Sequence, residues 1–191
     1  MGYGLPGKLN LAVKNAVTIS IKQVTGYEDI QACQELMLKV FHTELGYRAM
    51  SFPDNYEDSS IYVAIRSEGT LAGTFRIVKP KELNQCPATE VWPEANNLPA
   101  GSICQFSRIV IHEQYRRRGL FSLAVKEASG IAIDVGAALL LSEVLLQSQV
   151  AYGRCGFEVV GEAVCDETVD IGGTREVNCV PMVLRLDNIP L

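Results

Sequence analysis

The chain has 191 residues, enough for one domain with a substantial core. Apolar residues make up 48% and charged residues 20%, and no stretch pairs low hydrophobicity with high charge, which argues against long disorder. With 17 Lys and Arg against 22 Asp and Glu, the net charge of −5 disfavours general binding to nucleic acid or to an anionic membrane.

Residues 1–15 read as a loose N-terminal arm and residues 16–191 as a single domain. Ala16 to Val24 is β-branched and alternating, which predicts a strand. Thr25 with Glu28 three residues on has the spacing of a capping box. Ile30, Cys33, Leu36, Met37, Val40 and Phe41 then recur at helical spacing, and Gly46 is placed to end that helix. Residues 47–60 are polar and acidic, a loop or short helix. Ile61 to Arg66 and Leu71 to Val78 form a hairpin about the Ser67–Thr70 turn.

Residues 79–101 carry Pro80, Pro87, Pro93 and Pro99 and predict a long irregular excursion, of the kind that is usually functional. Ile103 to Ile111 is a strand, Leu120 to Val135 a helix, and Ala138 to Val144 a buried strand. A short helix over Leu145 to Arg154 and strands over Phe157 to Ala163 and Val180 to Leu186 complete the order β-α-loop-β-β-β-α-β-α-β-β. A hairpin-rich first half and a βαβ second half imply an α/β fold, with a mixed, mostly antiparallel sheet and helices on both faces.

The most apolar stretch, Ile131 to Leu146, contains Asp134 and Glu143 and cannot be a membrane span of about 20 apolar residues. Met1 to Leu11 lacks the pattern of a signal peptide, and Pro6 fits a myristoylation site badly. Six cysteines include no C-x-x-C pair, and only two His are present. That spacing predicts no metal site, but reduced, mostly buried thiols in a cytoplasmic protein.

Gln105-Phe-Ser-Arg-Ile-Val-Ile-His-Glu-Gln-Tyr-Arg-Arg-Arg-Gly-Leu-Phe runs from a strand through a loop into a helix. A helix start has free N–H groups and the positive end of the dipole, glycine permits close backbone approach, and arginine adds fork-shaped donors. In an acidic chain, Arg116, Arg117 and Arg118 beside Gly119, with Arg108 upstream, predict a phosphate or pyrophosphate site.

Arg116-x-x-Gly119 resembles the acyl-CoA-binding motif of the GCN5-related N-acetyltransferase (GNAT) superfamily, Q/R-x-x-G-x-G/A. Phe121 departs from it, standing where a small residue is expected. Ala151-Tyr152-Gly153-Arg154-Cys155-Gly156-Phe157 resembles the same superfamily's A/L-Y-x-x-x-G-F segment, although Leu145 stands where an asparagine is often found. The resemblance covers about residues 103–163. It implies the GNAT acyl-CoA N-acyltransferase fold, with Tyr152 as general acid to the departing thiolate. It also implies a backbone N–H near Ser107 to Ile109 that polarises the thioester. The donor would then lie along Ile109, Val110 and Ile111 and the turn Arg116, Arg117, Arg118, Gly119, Leu120 and Phe121.

The first half resembles the N-acyl amino acid synthase and acyl-homoserine-lactone synthase branch, over about residues 36–120. The matching pieces are Val40-Phe41-x-x-Glu44-Leu45-Gly46-Tyr47, Asp54 and Asp58 before Gly73-x-x-Arg76, and Gln105-x-Ser107-Arg108 in place of E-x-S-R. This implies an acceptor side built from Phe41, Tyr47, Asp54, Asp58, Arg76, Gln105 and Arg108. It implies medium or long acyl chains carried by coenzyme A or by the phosphopantetheine of an acyl carrier protein, whose acidic surface the arginines would suit.

An amine with a pKa of about 10.4 must lose a proton before attack. Gln105 cannot take it, which leaves Glu143, Asp54, Asp58 or a water chain. His112 reads as a surface residue and Cys104 as a buried strand cysteine. No Ser-His-Asp set is present, so direct attack is expected. The acceptor could be an amino acid, a polyamine or a peptide side chain. An acetyl-CoA-dependent N-acetyltransferase and an inactive thioester-binding module are the alternatives. An autoinducer synthase fits less well, because the one tryptophan, Trp92, lies in the proline-rich excursion. Both a monomer and a homodimer remain open.

Overall fold

The computed structural model describes residues 17–81, 92–99, 101–166, 168 and 177–187. The expected arm and Cys86 lie outside them. Strands β1 (Ile19–Val24), β2 (Ser60–Ser67), β3 (Thr70–Val78), β4 (Ile103–Ile111), β5 (Leu139–Leu145), β6 (Glu158–Val159) and β7 (Cys179–Arg185) form one sheet in the order β1-β2-β3-β4-β5-β7-β6. Every pairing is antiparallel except β4–β5, whose strands are joined by the crossover helix α2 (Leu120–Asp134).

Alternation along the strands builds two cores. Val63, Ile65, Phe75, Ile77, Phe106 and Leu140 face α2 and the five-residue helix α3 (Gln149–Gly153). Tyr62, Ala64 and Val110 face α1 (Tyr27–Leu38), through its buried Cys33, Leu36 and Met37. Helices therefore cover both faces, as the pattern predicts. No described helix is long and apolar enough to cross a membrane.

Several local expectations change. Helix α1 starts from Gly26 with no side-chain cap, so Thr25 and Glu28 do not form a capping box. Acidic Glu28 and Asp29 occupy its first turn instead, where the dipole favours them, and Asp29 pairs with Arg66 at 2.6 Å. After Leu38 the helix widens into a π-turn, Lys39–Glu44, which ends before Gly46 in the left-handed region (φ 80°).

The described part of the proline-rich excursion is packed rather than open. A 3₁₀ turn, Pro93–Asn97, has three residues per turn. That period sets Trp92, Ala95 and Leu98 on one face, against Ile103, Leu139, Leu141 and Val183.

The strand expected over Phe157 to Ala163 shrinks to two residues. The Val160 N–H donates to Pro181 O at 3.1 Å, but Pro181 has no N–H to return, so the ladder stops. The chain bulges past Pro181 and rejoins β7 at Val164, which exchanges both backbone hydrogen bonds with Cys179 (2.8 and 3.1 Å).

Gly73 has a packing reason. A Cβ there would stand 2.8 Å from the carbonyl oxygen of Val110 on β4. Gly73→Ala is expected to cost about 1–3 kcal/mol, as overpacking against backbone does. Thermal unfolding checks this, at about 2–4 °C per kcal/mol for a chain of this size.

Candidate active site

The site starts where β4 and β5 part. Their pairing runs only from Ile103↔Leu139 to Gln105↔Leu141. Beyond it β4 follows β3 while β5 follows β7, and a cleft opens through the sheet. On β4, Arg108 and Ile109 together oppose the single residue Phe75 of β3, a β-bulge with Arg108 in the left-handed region (φ 53°). The bulge turns backbone away from the ladder at the edge of the cleft. The carbonyl of Phe106, deprived of a ladder donor, accepts instead from Ser142 Oγ at 2.9 Å.

Side chains from both faces of the sheet meet in a cavity of about 700 Å³. Among the residues singled out by sequence, Phe41, Arg76, Gln105, Ser107, Arg108, Ile109, Ile111, Arg116, Phe121, Glu143 and Tyr152 line it. Tyr47, Asp54, Asp58, Val110, Arg117, Arg118, Gly119 and Leu120 do not. Tyr47 is buried against Phe41 (6.4 Å between stacked rings), while Val110 and Leu120 are core. Asp58 faces a separate surface pocket with Lys79 and Lys81.

Tyr152 stands on the α2 side, 6% exposed, among the rings of Phe106, Phe121 and Phe157. Burial pushes its phenol up to about 12, a hydrogen bond with Ser142 working the other way. Phe121 does not stand over the arginine turn. It turns inward, its ring 4.9 Å from that of Tyr152.

On the α1 side sits a buried ion network. Arg76, 1% exposed, donates to both oxygens of Asp54 (2.9 and 2.8 Å) and to Ser107 Oγ (3.2 Å). Arg108 pairs with the same carboxylate at 2.8 Å, donates to Ser51 O and stacks over Phe52 at 4.5 Å. Burial and the neighbouring Arg76 lower the Arg108 pKa, with Asp54 opposing. Asp54 is thus a counter-ion to two guanidinium groups, not an available base. The set as a whole keeps one positive charge.

The far wall holds Glu143, Asp166 and Cys179, whose ligand-type atoms lie within 4.8 Å of one another. Burial first, then these carboxylates, keep the Cys179 thiol far above its ordinary range, and burial raises Cys104 to about 11. Both are protonated thiols. Cys33, Cys104, Cys155 and Cys179 form no disulfide.

The arginine turn closes one end. Arg117 (φ 60°) and Gly119 (φ 77°) are both left-handed and curl the backbone into α2. Arg118 stacks on Tyr115, and Arg116 ties the turn inward by donating Nε to Ile111 O at 2.8 Å and pairing with Glu44. Ser142, Asp166, Met50 and Tyr56 were missed by sequence reading. They join the cavity through strand register and loop path, which no local pattern announces.

A model of the N-acyl amino acid synthase FeeM family matches residues 32–171. The chain belongs to this family. It is an N-acyltransferase with the GNAT fold. Among solved structures it is similar to FeeM, an N-acyl amino acid synthase from uncultured soil microbes (10% identity, 91% of this chain and 93% of that one, TM-score 0.69). It is also similar to a CoA-dependent acyl-homoserine lactone synthase, BjaI (17%, 90% and 84%, 0.66), and to an acyl-CoA N-acyltransferase from Pseudomonas aeruginosa (17%, 88% and 99%, 0.64). No curated protein sequence matches the chain.

The ion network makes a stability prediction. Asp54→Ala leaves two largely buried guanidinium groups facing each other and should cost about 3–5 kcal/mol. Urea unfolding of the variant beside wild type measures it.

Proposed function

We propose that this N-acyltransferase moves a medium- or long-chain fatty acyl group from a coenzyme A or carrier-protein thioester to the primary amine of an amino acid, by direct attack, in the cytoplasm. The observation that carries this reading is the through-sheet cleft, with buried Tyr152 on one face and a net-positive Arg76–Asp54–Arg108 set facing Glu143 and Asp166 on the other. An amino acid is a matching zwitterion. Its carboxylate suits the guanidinium pole and its ammonium the carboxylate pole.

The roles follow from position. The arginine turn and first amides of α2, with Arg116, Arg117, Arg118, Gly119, Leu120 and Phe121, hold the donor's phosphates. The pantetheine arm runs along Ile109, Val110 and Ile111. Bulge amides at Arg108 and Ile109 hydrogen-bond the thioester carbonyl, a contribution of about 2.7–4 kcal/mol per donor in comparable sites. Gln105 and Ser107 line the path of the acceptor, whose outer wall is Phe41, backed by Tyr47.

Glu143 takes the proton of the ammonium, and the freed amine attacks the carbonyl carbon. The C–N bond forms, the C–S bond breaks, and the thiol leaves protonated. A phenol at about 12 is a weaker acid than a thiol of pKa about 8.5. Tyr152 therefore acts by hydrogen-bonding the developing thiolate. The proton that ends on sulfur derives from the amine.

Apolar Phe41, Met50, Ile109, Ile111 and Leu145 around a cavity of about 700 Å³ support a long acyl chain. Phe121 against Tyr152 favours a second reading, an acetyl donor, because it narrows the space beside the thioester.

Thiol release from acetyl-, octanoyl- and palmitoyl-thioesters with a mixed amino acid pool separates the two. Preference for the longer chains is expected, and preference for acetyl establishes the second reading. Tyr152→Phe removes one hydrogen bond to the developing thiolate and should lower kcat about 10²-fold or more with donor KM little changed. Because burial raises the phenol from 10.0 to about 12, the wild-type kcat–pH profile should show no tyrosine limb below pH 10. Steady-state kinetics across pH checks both.

A further inference from the structure

The π-turn Lys39–Glu44 is tied at both ends to the loop that joins β4 to α2. Lys39 Nζ meets His112 Nε2 at 3.3 Å, and Glu44 pairs with the Arg116 guanidinium. Between the two ties the turn places Phe41 on the cavity wall. Its C-terminal end is held by Leu45 N–H to Val40 O (3.0 Å) and Tyr47 N–H to Phe41 O (2.8 Å). A π-turn has a looser hydrogen-bond ladder than an α-helix and commonly marks a functional position.

We infer that Glu44 is a positioning residue for the transfer reaction: it competes with the donor's phosphates for Arg116, and the donor enters by displacing it. This rests on the reading of the arginine turn as the phosphate site. One Arg116 donor is already spent on Ile111 O, so the guanidinium is oriented by the backbone before any donor arrives. The Glu44 carboxylate cancels its charge and repels an incoming phosphate. The pair is surface-exposed and weak, whereas a forked guanidinium–phosphate contact is strong, so the exchange runs toward the donor. Once Glu44 is released, one of the two ties on the π-turn is gone. The wall carrying Phe41 then gains freedom on the acceptor side, and occupancy of the donor site is coupled to the acceptor pocket.

The test uses the purified full chain, with coenzyme A as probe and titration calorimetry as readout. Glu44→Gln should tighten binding about two- to fivefold, more at low salt than at high. Arg116→Ala should weaken it about tenfold. In the Arg116→Ala background, Glu44→Gln should do nothing. Amide hydrogen exchange at Leu45 and Tyr47 should speed up in wild type when coenzyme A is added, and should already be fast in Glu44→Gln without it. Weaker binding with Arg116→Ala, but unchanged or weaker binding with Glu44→Gln, overturns the role of Glu44 alone. So does slower exchange at Leu45 and Tyr47 on adding coenzyme A. No effect of Arg116→Ala overturns the phosphate site itself, and the competition with it.

Discussion

β4 cannot follow β5 beyond Gln105, and the chemistry of the molecule is arranged around that parting. Two strands that separate within a sheet leave backbone groups without ladder partners. Here Ser142 accommodates one of them by donating to Phe106 O, and the bulge at Arg108 re-aims others toward the opening. The hydrogen bond between Ser142 and Tyr152 links the same repair to the buried phenol. The cleft is therefore a break in the sheet that polar groups from both faces enter, rather than a groove on its surface.

Electrostatics divides the cleft into two poles. Asp54 holds Arg76 and Arg108 together, and Phe52 lies against both guanidinium groups. Burying three charges is costly unless each is closely paired, and here the shared carboxylate and Ser107 supply the partners. The same contacts fasten the 51–56 loop over β3 and β4, so one network sets both the polarity and the outer wall of the acceptor side. The opposite pole depends on Pro181. By ending β6 early it forces the bulge that delivers Cys165 and Asp166 to the cavity, beside Glu143 on β5.

The two sides of the reaction are in mechanical contact through the π-turn. Its ends touch His112 and Arg116 on the loop between β4 and α2 while its middle carries Phe41 into the cavity. A single regular helix ending at Gly46 would present that face in a different rotation, because a π-turn adds residues per turn and shifts every side chain after it.

Much of the scaffold was legible in the sequence. Alternation marked β1, a hairpin pattern marked β2 and β3, a continuous apolar run marked β5, helical spacing marked α1, and the glycine after three arginines marked the entry to α2. The resemblance of Arg116-x-x-Gly119 and the Tyr152 segment to the GNAT pattern pointed to the fold and to N-acyl transfer. These signals are local, and local patterning reports which face of an element is apolar and where backbone must turn. Tertiary structure alone decided that β4 and β5 part after Gln105 and that Ser142 fills the gap. It also decided that Asp54 is spent on two arginines while Asp58 faces away, that Phe121 turns in upon Tyr152, and that Asp166 joins Glu143. Each of these depends on strand register or on contact between residues far apart in the chain, and no window of sequence contains both partners.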